Sequence, residues 1–147
     1  METNSEIAKT KFNEGFNCAQ ACFYPFAIQA GIEPEHALKL TTGFGAGMVS
    51  RGEMCGAITG SMMAISLLHG RSRHDDNDSK DKTYILIKEL YKQFTLKHGS
   101  IHCKDLLCLD NTEPESWDKA KDLFKTHCPL YVEDAARITD TILNSLK

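Results

Sequence analysis

G-F-G-A-G-M-V-S-R-G-E-M-C-G-A-I-T-G, residues 43–60, holds six of the chain's ten glycines around one cysteine, Cys55. Gly43, Gly45, Gly47 and Gly52 allow left-handed or tightly turned backbone, so the segment can wrap closely around something. The residues that follow, Ala57 to Leu68, read as a helix with Cys55 at its start. A thiol placed there faces unpaired backbone N–H groups and the positive end of the helix dipole, and both favour the thiolate. Gly45, Gly47 and Gly56 are the positions where backbone would approach a bound cofactor. Gly56, Gly60 and Ala64 recur every four residues, a smooth stripe that lets another backbone come close. Architecture alone accounts for the same pattern, with a glycine turn leading into a packed helix and Cys55 as a small buried hydrophobe.

Working back from this stretch, three helices are expected. Ser5 to Asn13 forms a short one; Asn17 caps a second, with Gln20 completing a capping box and Cys18 in the first turn; Pro34 opens a third that ends at Gly43. Working forward, Arg71 to Lys82 is a charged connector. His74, Asp75, Asp76 and Asp78 within it lack the glycine and terminal glutamate of a calcium loop. Tyr84, Ile87, Leu90, Tyr91 and Phe94 recur at helical spacing. Ser100 is a candidate cap for a helix from Ile101 to Leu107 that carries Cys103. Glu113–Pro114 opens another through Phe124, and Pro129 begins the last, with Ala135, Ile138, Ile142 and Leu146 facing inward.

No stretch alternates with the period of a strand, so the expected fold is all-α, one domain over residues 1–147 with about six or seven helices. Phe23, Phe26, Leu67, Ile87, Leu90, Phe94, Trp117, Leu123, Ile138 and Ile142 are the expected core. A chain of 147 residues can bury a core without crosslinks. With a net charge of −3, the chain shows no electrostatic grip on nucleic acid or an acidic membrane, and the longest apolar run, Met54 to Leu68, is too short to span a bilayer. The first ten residues show neither a basic start nor an apolar signal core, which predicts a reducing, cytoplasmic setting. Six cysteines in that setting point to metal binding or redox chemistry rather than a disulfide framework.

Cys18, Cys55, Cys103 and Cys128 each fall at the start of an expected helix. Helix starts stabilise anions, so four such thiolates can surround an iron–sulfur core or a zinc ion. As reactive thiols they can instead exchange disulfides, with Cys55 attacking. There is no C-x-x-C, no C-x-x-C-H and no zinc-ribbon spacing, so any site is assembled by tertiary folding. Cys22 and Cys108 read as core; His102 and His127, each preceding a site cysteine, can bond to sulfur or simply lie at the surface.

The ordered set F-x-x-G-x-N-C-A-Q-A at Phe12 to Ala21, G-F-G-A-G at Gly43 to Gly47, G-E-M-C-G-A-I-T-G at Gly52 to Gly60, H-G-S-I-H-C at His98 to Cys103, and Cys128 resembles the C_GCAxxG_C_C family of redox-active proteins. The family name marks the positions matched by Cys18, Cys55, Cys103 and Cys128. The resemblance implies a small helical redox protein working with a redox partner protein. A similar domain in split-Soret cytochromes places haem beside an iron–sulfur site in a dimer. Covalent haem does not carry over, because C-x-x-C-H is missing. The leading expectation is an iron–sulfur cluster on the four cysteines, serving electron transfer. The alternatives are a thiol–disulfide protein without cofactor and a structural zinc site. A homodimer is expected from the small-residue stripe together with the resemblance.

Overall fold

The computed structural model describes residues 1–109 and 115–146. In order the helices are α1 (Asn4–Asn13), α2 (Cys18–Gln29), α3 (Pro34–Thr41), α4 (Ala46–Ser50), α5 (Gly56–His69), α6 (Asn77–His98), α7 (Cys103–Leu106), α8 (Glu115–Lys119), α9 (Lys121–Thr126) and α10 (Cys128–Asn144). Six of these, α1, α2, α3, α5, α6 and α10, have eight residues or more, and no strand occurs among the described residues. The fold is all-α, a single helical domain. None of the described helices is long and apolar enough to cross a membrane.

Local signals set most of the boundaries. Thr3 and Asn17 each cap their helix with a reciprocal capping box, so both starts have two backbone donors satisfied. Asp76 accepts from the Ser79 N–H and caps α6, which therefore begins inside the charged connector, using one of its aspartates as a cap. Gly99, at φ 90°, ends that helix in the left-handed conformation.

The centre of the domain is the contact between α2 and α5, the most extensive helix pair. It depends on the small-residue stripe: a Cβ on Gly60 would stand 2.5 Å from the Ala19 carbonyl oxygen, and one on Gly56 would stand 2.9 Å from Cβ of Cys18. The stripe is thus occupied within the chain and offers no face to a second copy, which removes that argument for a homodimer. Helix α10 then packs across α1, α2, α5 and α6 and closes the bundle.

Phe23, Phe26, Leu90, Phe94 and Ile142 are buried, while Ile87, Trp117, Leu123 and Ile138 are partly buried against them. Leu67 departs from expectation: it lies outside the core, 39% exposed, because α5 turns Ile65 inward and leaves Leu67 and Leu68 on its outer face. Tyr84 is likewise exposed and Leu86 takes the inward position, and Leu146 falls beyond the end of α10 and is exposed. The expected helix opening at Glu113–Pro114 lies outside the described residues. Its described part is broken at Ala120, which is buried and leaves α8 and α9 as two short pieces.

Candidate functional site

Each of the four cysteines stands at a helix start, by two different kinds of signal. Cys18 is the first residue of α2, directly after the Asn17 cap, and Cys128 is the first residue of α10, followed by Pro129. Cys55 and Cys103 are set by pairing between distant segments. The Cys55 N–H donates to the Ile101 carbonyl at 2.8 Å and the Cys103 N–H to the Glu53 carbonyl at 2.7 Å, around an isolated antiparallel bridge between Met54 and His102. That bridge makes His102 the cap of α7 and Cys103 its first residue, two positions later than the expected start. Ser100 instead accepts from the His102 N–H, holding the turn before the bridge.

All four thiols line one cavity of about 380 Å³. Gly47 and Gly56 line it too, because a side chain there would collide with Cys103 and Cys18 respectively. Gly45 does not line it: a Cβ there would overlap the Asn17 side chain, so this glycine exists to let the cap of α2 fit. Gly43 has neither a left-handed φ nor a neighbour within 4 Å, and nothing in the structure requires glycine there.

Between Gly45 and Gly52 the chain does something the glycines alone do not announce. Ala46, Gly47, Met48, Val49 and Ser50 all have φ between 53° and 67°, so α4 is a turn of left-handed helix. The Val49 N–H donates to the Gly45 carbonyl and the Glu53 N–H to the Gly47 carbonyl, both at 3.0 Å. For each of the four residues other than glycine this hand costs about 1–2 kcal/mol, because Cβ crowds the following carbonyl. Sustained strain of this kind, on a segment from which Ala46, Gly47 and Ser50 reach the cavity wall, is a mark of a functional region.

Burial decides the state of the thiols. The Cys55 and Cys103 thiols are each pushed up to about 12, chiefly by loss of water around the sulfur. The N–H groups of Ala57 and Ile58 approach the Cys55 sulfur and pull in the other direction, and they lose. At Cys55 burial therefore outweighs the helix start and favours the neutral thiol in the absence of a bound cation. Cys18 and Cys128 form a pair. Their interaction raises the Cys18 thiol well above the usual range and lowers Cys128. Without a positive partner the site holds at least three neutral thiols at pH 7; a bound cation would invert this order.

Outside the set, Cys22 is fully buried and its thiol donates to the Val132 carbonyl at 3.5 Å, so it is core. Cys108, expected in the core, is exposed instead, at φ 54° just beyond α7, between the buried Leu107 and Leu109. His127 is exposed and bonds to Thr126, and His102 is exposed as well. Sequence reasoning missed Tyr131 and Phe124, which also line the cavity. Tyr131 lies three residues beyond Cys128, hence on the same face of α10, and that spacing is a readable signal.

The fit to a metal centre is one of donor chemistry. Four soft thiol donors face one space, yet among the described residues no group of three or more His, Cys, Asp or Glu side chains is close enough to hold a single ion as it stands. The four cysteines all line the same cavity.

The family described as "Putative redox-active protein (C_GCAxxG_C_C)" matches residues 16–142, a span that includes all four site cysteines, and the chain belongs to it. A relative in Archaeoglobus fulgidus, named "Uncharacterized protein", is 30% identical over 101 residues, covering 64% of this chain and 67% of the relative. No solved structure matches the chain.

Proposed function

We propose that Cys18, Cys55, Cys103 and Cys128 hold an iron–sulfur cluster and that the protein transfers electrons to and from a redox partner protein. The observation that carries this reading is the convergence of four helix-start cysteines on one cavity. The cluster supplies one-electron chemistry. The chain supplies soft ligands, N–H groups of Ala57 and Ile58 near the Cys55 sulfur, and walls that exclude bulk water. Binding releases the thiol protons, so uptake is favoured by rising pH. A reducing, cytoplasmic setting suits the reading because it keeps the thiols available.

Anaerobic purification followed by iron, sulfide and zinc analysis and a visible spectrum tests it. Stoichiometric iron and acid-labile sulfide with visible absorption are expected. A folded, colourless, iron-free protein made without oxygen would overturn it. In a loaded protein, Cys55→Ser is expected to lose the cofactor while keeping its helix content, and Cys22→Ser to keep the cofactor.

One observation favours a second reading, thiol–disulfide exchange. Cys18 and Cys128 line the same cavity, and their interaction lowers the Cys128 thiol, alone of the set, while it raises Cys18. In that case Cys128, rather than Cys55, attacks the sulfur of an external disulfide and Cys18 resolves the mixed disulfide. The two thiols give up two electrons and two protons, and the substrate leaves as two thiols. Mass spectrometry after treatment with oxidised glutathione separates the readings: a loss of two hydrogens located at Cys18 and Cys128 supports exchange.

A further inference from the structure

The cavity has more lining than four sulfurs need. Phe12 and Phe16 enter it from the end of α1 and the turn that follows, Trp117 and Phe124 from α8 and α9, and Tyr131 from α10. Trp117 and Phe124 are stacked, with ring centroids 5.8 Å apart and planes 22° apart. Among the described lining residues there is no Lys, Arg, Asp, Glu or His. Two of the polar groups present are already engaged. The Tyr131 hydroxyl donates to the Leu106 carbonyl at 3.1 Å, and the Asn17 amide caps α2 and donates to the Thr42 carbonyl.

These facts select a ligand class. A charged molecule entering here would give up its hydration and meet no charged side chain among the described lining residues. A neutral ring would bury apolar surface against rings disposed to stack on it. The volume of about 380 Å³ falls within the range of roughly 300–1,000 Å³ common to small-molecule sites.

We propose that the four-cysteine cavity also binds an uncharged, ring-bearing organic molecule, seated against Trp117 and Phe124 beside the sulfurs. The redox meaning of such a ligand rests on the reading above; its binding does not require the cluster. A redox centre with this neighbour can exchange electrons with a small molecule inside the protein as well as with a partner at the surface.

Trp117 is the single tryptophan of the chain, so its emission reports on the cavity. The probes are N-phenyl-1-naphthylamine, which is neutral, and 8-anilino-1-naphthalenesulfonate, the same ring system bearing a sulfonate. They are titrated into the anaerobically purified protein. The neutral probe is expected to bind one per chain and quench Trp117, and the sulfonate to bind at least about tenfold more weakly. Phe124→Ala and Phe16→Ala are each expected to weaken the neutral probe about tenfold. Having two variants guards against one failing to fold. Leu40→Ser, in the separate apolar groove formed by Phe23, Leu40, Phe44 and Met63, is expected to change nothing. Equal binding of the two probes would overturn the inference, as would loss of binding in Leu40→Ser alone. Iron and sulfide analysis of the same preparation reads the other question separately. A colourless protein that passes the probe test keeps this inference without the cluster, and an iron-loaded one that fails it keeps the cluster without the ligand.

Discussion

The two walls of the cavity are built in opposite ways. On one side Cys18 and Cys55 stand on α2 and α5, long helices pressed together at Gly56 and Gly60 until their backbones nearly touch. On the other side Cys103 sits on α7, a helix of four residues, and Trp117 and Phe124 on α8 and α9, helices of five and six. Of these short helices, α9 packs chiefly on α10, and α8 on α9. The first wall has no freedom to move without unpacking the core. The second is built from short helices that reach the core through Ala120, Trp117, Leu123 and Phe124. A pair of cysteines fixed by close helix packing and a facing wall of short helices therefore coexist in one small domain.

The contrast is most exposed to test at Gly60. Gly60→Ala places a methyl 2.5 Å from a backbone oxygen that cannot step aside, and a loss of about 3 kcal/mol in urea melts is expected. A Gly60→Ala variant as stable as the parent would show that the α2–α5 wall is not rigid. Next comes Cys22→Ser, which puts a hydroxyl on the buried face of α2. A cost of about 2 kcal/mol with unchanged cofactor content is expected, checked by thermal melts alongside metal analysis. The thiols supply a pH test. Cys55 and Cys103, raised from an ordinary value of 9.0 to about 12 in the folded protein, stabilise it fully below pH 9. In the reduced, metal-free protein each then costs stability progressively as pH rises from about 9 toward about 12. Cys55→Ser should flatten that alkaline fall; an identical fall in the variant would remove the titration from Cys55. Last in size is a gain on the strained turn beside the cavity. Val49 is 71% exposed and sits at φ 59°, so Val49→Gly relieves left-handed strain and is expected to add about 1 kcal/mol, read from the urea midpoint.

What is legible in the sequence is local. The box formed by Asn17 and Gln20 places Cys18 correctly, and Pro129 and Cys55 mark their own helix starts, because caps act within one turn. The helix of Cys103 begins two residues later than expected, since it starts where the chain pairs with Glu53, some fifty positions away, and periodicity carries no trace of that pairing. Leu67 satisfies the helical spacing and still faces outward, because spacing defines a face without saying how much of it a neighbour covers, and Leu146 is exposed because α10 ends before it. The left-handed turn is hidden for a different reason: Ala46, Met48, Val49 and Ser50 disfavour that conformation, and only tertiary restraint holds them in it. The thiol acidity is misjudged likewise, since a helix start is visible in sequence and the depth of the sulfur is not.

Cys128 is the first residue of α10 and lies 110 positions after Cys18, with α10 packed across helices α1 and α2, which are made long before it. A ribosome adds about 5–20 residues per second, so Cys18 and Cys55 exist for several seconds before Cys128 has even been synthesised. During that interval α2 has no α10 to lie beneath and Cys18 has no partner for its thiol. On the reading proposed above, loading of a cluster by all four thiols would follow synthesis of α10. A truncation that removes α10 would leave three thiols with no fourth, and its product should emerge colourless however much iron the cell supplies.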